Sequence, residues 1–211
     1  MNLKNRYFLM RHGESEANVA NLIVSDPVLG RGKYGLTERG RAQARYSAER
    51  SGLDSRTVIV ASDFLRARQT AEIAQSVLWI SRYCLEPGLR ERGFGELNGE
   101  QSERYKEVWK LDSLSPENSV FGAESPSRLA SRLHQTLERL EMRYSEETVL
   151  LVSHGDTLRF LQLVAAELPL TEHMSLEHFS PAEIRALEVR PEARTVPSDG
   201  HSGRTESGDF T

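Results

Sequence analysis

The chain has one cysteine, Cys84, in 211 residues. That excludes an intrachain disulfide and fits a reducing compartment. Long hydrophobic runs are also missing. No segment approaches the roughly 20 apolar residues that span a bilayer, and residues 1–11 lack the apolar stretch of a signal peptide. We therefore expect a cytoplasmic protein with no membrane partner. There is no basic excess either: 27 Lys and Arg stand against 31 Asp and Glu, a formal charge of -4. A nucleic-acid partner is not expected from such a balance. No internal repeat or sustained heptad pattern is present, and no His-Glu-x-x-His or Cys/His set suggests a metal. What is there, 38% apolar and 27% charged residues, is a globular composition long enough for one substantial core.

The most informative stretch is Tyr7-Phe8-Leu9-Met10-Arg11-His12-Gly13-Glu14-Ser15. Four apolar residues read as a short buried strand, and the polarity then switches at once. An imidazole and a guanidinium are thus presented where a strand ends, the edge at which open α/β sheets bind ligands. Gly13 would permit a sharp turn or a close approach to a ligand. Arg offers a fork of donors matched to phosphate oxygens, and a neutral His nitrogen can attack phosphorus. The tripeptide alone reads equally as a surface turn, so the rest of the chain must decide.

Strand and helix signals alternate along that chain. A short helix is expected over 14–20, then a long Gly-rich loop over 21–35 in which Arg31 and Lys33 are either solvated or within reach of a substrate. Thr37 caps a helix over 38–50. A buried strand at 57–61 runs into Ser62-Asp63 and a helix over 64–78 that carries Arg66. A short strand at 83–85 precedes the Gly-rich segment 89–99, and helices follow over 103–111 and 125–144. Thr148 to Val152 is a buried strand ending in Ser153-His154-Gly155, with a helix behind it to about 167 and a last strand within 183–189. The alternation predicts an α/β fold with a mainly parallel central sheet and helices on both faces. Right-handed crossovers would bring Arg11, His12, Ser62, Arg66 and His154 to one rim. One domain is expected over 1–192, with a disordered Ser/Gly/Pro-rich tail over 193–211.

Residues gathered in this way suit phosphoryl transfer, in which catalysis is mostly positioning and charge stabilisation. Arg11 and Arg66 could clamp equatorial oxygens, His154 could add a donor, and the Gly155 amide at a helix start another. A proton donor is also required, and a carboxyl group serves if burial or a neighbouring charge raises its pKa. Glu91 is the candidate and Glu14 the runner-up.

These residues resemble a known family. Arg11-His12-Gly13 is similar to the signature of the histidine phosphatase superfamily, which includes phosphoglycerate mutases and acid-type phosphatases. Asn18, Leu36-Thr37-Glu38-Arg39-Gly40, the segment 62–71 with Arg66, the segment 89–99 with Glu91, and Ser153-His154-Gly155 continue the resemblance in order over roughly residues 5–165. The resemblance implies a three-layer α/β/α sandwich and a phosphohistidine on His12. It also implies a phosphate-binding role for Asn18 and no metal or other cofactor.

The expected activity is hydrolysis of a small phosphorylated substrate. Alternatives are a phosphoglycerate mutase-type transferase, disfavoured because 99–148 is short and has no Arg-Arg pair, and a non-catalytic phospholigand-binding protein. Arg68, Arg90 and Arg92 read as solvated or ion-paired. Tyr105 and Trp109 read as a face packed on the core, or else a lid. His134, His173, His178 and His201 read as surface residues, and Cys84 as packing.

Overall fold

The computed structural model describes residues 3–189; the expected tail lies outside them. Strands β1 (Arg6–Arg11), β2 (Val58–Ala61), β3 (Arg82–Leu85), β4 (Thr148–Ser153) and β5 (Ile184–Ala186) form one sheet in the order β3-β2-β4-β1-β5. The first four are parallel, and β5 is antiparallel on β1. Helices α1 (Glu16–Val19), α2 (Pro27–Gly32), α3 (Glu38–Arg50), α4 (Leu65–Leu78), α5 (Tyr105–Asp112), α6 (Pro126–Arg143) and α7 (Gly155–Ala166) complete the order. No helix among the described residues is long and apolar enough to cross a membrane.

The core has two halves because neighbouring strand residues point to opposite faces. Leu9, Val58, Val60, Val149 and Leu151 pack with Leu129, Leu133 and Leu137 of α6 and Leu158 and Leu161 of α7. Met10, Ile59, Leu150 and Val152 face the other way, onto Ala44 and Ala48 of α3 and Ala67, Ala71 and Ala74 of α4. Small alanines bring those two helices close to the sheet. With strands buried on both faces, the apolar runs are continuous rather than alternating, which is why they were readable. A third cluster, Ile23, Phe94, Leu97, Val108 and Ala123, sits under the connecting segments.

Register produces the site. Arg11 lies opposite Ser153 across β1 and β4, so His12 and His154 leave the sheet side by side. Ala61 lies opposite Val152 across β2 and β4, and the Ser62 amide donates to the Val152 carbonyl, which sets Ser62 next to His154.

Three expectations are corrected. The loop over 21–35 contains α2: Asp26 caps it by accepting from the Val28 and Leu29 amides, and Pro27 takes the first helical position. The glycines at 30 and 32 had masked those start signals. The first helix is only Glu16–Val19, because Ser15 rather than an earlier residue is its cap. Gly13 is not a ligand-approach glycine. A Cβ there would meet the Gly40 carbonyl oxygen at 2.4 Å, and one on Gly40 would meet the Glu14 carbonyl oxygen at 2.0 Å. The two glycines let the His12 turn lie directly on the first turn of α3.

Gly40→Ala should therefore cost about 1–3 kcal/mol in urea unfolding, since the clash is with backbone. Gly32→Ala, with nothing within 4 Å, should leave stability unchanged or raise it by up to about 1 kcal/mol.

Candidate active site

A cavity of about 400 Å³ opens at the rim where β1 and β4 end. Its lining includes Arg11, His12, Asn18, Arg66, Glu91 and Gly155. His154 stands behind His12, ring centroids 5.2 Å apart in an edge-on arrangement. All the expected site residues are thus brought together, six on the cavity surface and one backing it.

His12 has a fixed tautomer. Its Nδ1 lies 2.8 Å from its neighbour's carbonyl, Gly13 O, and must carry the hydrogen to make that bond. Nε2 is left with its lone pair, onto which Arg66 Nε–H donates at 3.0 Å. Burial, reinforced by Arg66 and Arg11, holds the His12 pKa well below the ordinary imidazole value. The ring is neutral, and Nε2 is the atom free to act as nucleophile. His154 is also held well below its ordinary value, by burial and then by Arg66, His12 and Arg11. Ser62 Oγ engages its Nε2 at 2.8 Å, which leaves Nδ1 toward the cluster.

Both guanidiniums are only partly satisfied. Arg66 Nη2 donates to Val24 O at 3.0 Å, and Arg11 Nη1 donates to Phe179 O at 2.7 Å. Arg66 Nη1, Arg11 Nε and His154 Nδ1 are buried without a hydrogen-bond partner. An unpaired buried guanidinium N–H is costly, and two of them beside His12, with the unpartnered His154 Nδ1, suit a multiply charged oxyanion. Gly155 starts α7 beside Arg11, so its amide adds to the positive end of that helix. Asn18 uses its carbonyl oxygen on Ser15 N and Oγ in a capping box, which leaves its amide nitrogen available at the cavity.

Glu91 is half-buried and lines the cavity. Burial, and then the Asp156 carboxylate, raise its pKa against an opposing pull from Arg66. Two amides, Arg92 N and Thr157 N, donate to Oε1 at 3.0 and 3.4 Å, and the Thr157 hydroxyl, which donates to Arg90 O at 2.8 Å, lies 3.1 Å from the same oxygen. Oε2 is the oxygen left to carry a proton into the cavity. The runner-up, Glu14, is committed elsewhere: it accepts from Thr37 Oγ1 at 2.8 Å and pairs with Arg39, holding the start of α3.

A model of the histidine phosphatase superfamily (branch 1) matches residues 7–198. The chain belongs to this superfamily. Among curated relatives, a probable phosphoglycerate mutase GpmB of Photorhabdus laumondii is 38% identical over 156 residues, 72% of this chain and 70% of that protein. A metal-independent phosphoserine phosphatase of Arabidopsis thaliana is 31% identical over 198 residues, 90% of this chain and 79% of that one. Among solved structures, a mycobacterial glucosyl-3-phosphoglycerate phosphatase superposes with a TM-score of 0.72 at 23% identity, covering 86% and 88% of the two chains; this likeness concerns the fold.

The aromatics of α5 also border the cavity. Trp109 and Tyr105 stack on each other at 5.3 Å and form a cavity wall, while Tyr105 also packs on the third core cluster, edge-on to Phe94, as expected. Trp109 Nε1 donates to Asp156 Oδ2 at 2.8 Å. His178 is exposed as expected and also lines the cavity beside Trp109, whereas His173 is fully buried against Phe160 rather than at the surface. The buried cases have no local signal because their partners are distant in the chain. His134 is exposed as expected, and His201 lies outside the described residues. The expected ion pairs are present: Arg68 with Glu72, Arg90 with Asp63, and Arg92 with Asp112, the last pair wholly buried. Arg31 also reaches Asp63, and neither it nor Lys33 lines the cavity.

Arg66→Ala should weaken inorganic phosphate binding by roughly 10- to 100-fold in calorimetric titration, the loss of a charged hydrogen bond. Arg68→Ala should leave that affinity within about twofold, as expected for an exposed ion pair.

Proposed function

We propose that this chain is a metal-independent phosphomonoester hydrolase acting through a phosphohistidine on His12. The observation that carries the reading is one cavity gathering a neutral imidazole with Nε2 unprotonated, two guanidinium N–H groups without partners, and a carboxyl group whose pKa is raised by burial and by Asp156.

The ester's phosphate group enters between Arg11, Arg66 and His154, and Asn18 and the Gly155 amide add contacts. Arg66 Nε leaves His12 Nε2 for a phosphoryl oxygen, freeing the lone pair. Nε2 attacks phosphorus, the P–O bond to the leaving group breaks, and Glu91 Oε2 gives that oxygen its proton. Water then enters on the leaving-group side. Glu91, now a carboxylate, takes a proton from it as its oxygen bonds to phosphorus, and the P–N bond breaks. Inorganic phosphate leaves, and both residues return to their starting states. His12 and Glu91 share chemistry in both half-reactions, and no step needs a metal. The substrate is a small phosphorylated molecule, and the location is cytoplasmic.

A transferase reading draws on the probable phosphoglycerate mutase relatives. It requires the phosphohistidine to outlast water until a second hydroxyl arrives. Residues 99–148 carry no Arg-Arg pair to hold a second acidic group, which favours hydrolysis. Phosphoryl exchange between phosphoglycerates, measured beside phosphate release, separates the two.

Hydrolysis of p-nitrophenyl phosphate should persist with chelator present and be abolished by His12→Ala. Undiminished turnover in that variant would refute the nucleophile. Glu91→Gln should lower kcat/KM by about 10²- to 10⁴-fold for alkyl phosphates, and by less than about tenfold for an activated aryl ester. Equal losses on both would remove Glu91 as the acid.

The active form has His12 neutral and Glu91 protonated. The kcat/KM profile should therefore rise with pH through a step well below the ordinary imidazole range. It should fall as Glu91 ionises above the ordinary carboxyl range.

A further inference from the structure

Asp156 has no part in the phosphoryl transfer described above, and its location is unfavourable on its own. Its carboxyl group, 95% buried in the first turn of α7, shares the cavity with Arg11, Arg66 and Lys106 and with the carboxyl groups of Glu91 and Glu103. It is held there: Trp109 Nε1 donates to Oδ2 at 2.8 Å, and the buried Arg92 guanidinium stands 3.7 Å from the same oxygen. Both holders belong to the surroundings of Glu91. The Arg92 amide bonds Glu91 Oε1 at 3.0 Å, while its guanidinium grips Asp112 at the end of α5 at 2.6 and 2.9 Å. Thr157, next to Asp156, bonds both Glu91 Oε1 and the Arg90 carbonyl. Residues 90–92, residues 156–157 and α5 are thus locked together around one carboxyl group.

We propose that Asp156 is a positioning residue for Glu91: fixed by the Trp109 indole and the Arg92 guanidinium, its carboxylate keeps the proton on Glu91 Oε2 and ties the cavity wall of α5 to the acid. The inference rests on the assignment of Glu91 as general acid made above.

The charge balance around Glu91 supports this role. Arg66 from α4, Arg11 from β1 and Arg159 from α7 face Glu91 with positive charge, and Tyr105 from α5 is uncharged. Asp156 is the negative group among them, and it opposes the ionisation that the arginines favour. Asp156 is itself faced by Arg92, Arg159, Arg11, His173 and His178, and burial lowers both of those imidazoles toward neutrality. Its anion is therefore surrounded by fixed cations and one indole donor. Without Asp156, burial alone would oppose the three guanidiniums that act on Glu91.

Two variants separate charge from packing. Asp156→Asn keeps an oxygen that can accept from Trp109 but removes the charge. The alkaline limb of its kcat/KM profile should move down by about one on the pH scale, a tenfold loss above that limb. The loss should be greater for alkyl than for activated aryl phosphates. Trp109→Phe removes the indole donor but keeps the charge, so its alkaline limb should hold or move up while KM changes.

An unmoved limb in Asp156→Asn, or a downward move in Trp109→Phe, overturns the proposal. Should the asparagine variant not fold, Asp156→Ser, which also removes the charge, takes its place: a limb moved down supports the proposal and an unmoved limb overturns it. Glu91→Gln is the control. If the wild-type limb survives in it, the limb does not belong to Glu91, and the acid assignment fails rather than the role of Asp156. If the limb vanishes there yet ignores Asp156→Asn, only the present inference fails.

Discussion

The structure depends on uncompensated positive charge held at one rim of the sheet, by Arg11 at the end of β1 and Arg66 in the first turn of α4. Arg66 is buried and Arg11 half-buried, and among the described residues neither has a carboxylate within 4.0 Å. Isolated buried charge is expensive. The protein reduces the cost with two backbone carbonyls, Phe179 O and Val24 O, and with the lone pair of His12. A dianion entering the cluster supplies what those acceptors do not. Burial keeps the two imidazoles neutral and the arginines' field reinforces it, so the cost of holding the arginines and the readiness of His12 are linked.

A second constraint opposes the first. Glu91 must stay protonated beside guanidiniums that favour its ionised form. Burial does most of this, and the neighbouring carboxylate of Asp156 adds to it. The loop carrying Glu91 has little regular structure, yet it is rigidly placed. Arg92 is fully buried on Asp112 and donates through Nε to the Glu124 carbonyl, and Arg132 clasps the Glu124 carboxylate. An irregular loop can hold a catalytic carboxyl group in place when its anchors are forked arginines.

Much of this arrangement was legible in the chain. Strands β1, β2 and β4 announce themselves as apolar runs, and Thr37 and Ser125 mark helix starts. The residues that follow the strands are the ones that meet, because parallel register carries them to a common edge. What was not legible has long-range causes. Helix α2 contains Gly30, a poor helix former that is retained where a Cβ would meet the Phe64 ring at 2.6 Å. Trp109 is spaced as a core residue, and its place in the cavity wall is set by Asp156, 47 positions later. His173 looks like a solvated residue until Phe160 is seen stacked on it.

The central claim is that His12 Nε2 takes the phosphoryl group and Glu91 is needed to release it to water. The most direct measurement is a rapid acid-free quench of Glu91→Gln mixed with an activated aryl phosphate, followed by peptide mass mapping. The account predicts one phosphoryl group on the peptide containing His12, labile to acid and stable to base, building up to near one per chain. Absence of that adduct while aryl alcohol is still released, or its appearance on another residue, would contradict it.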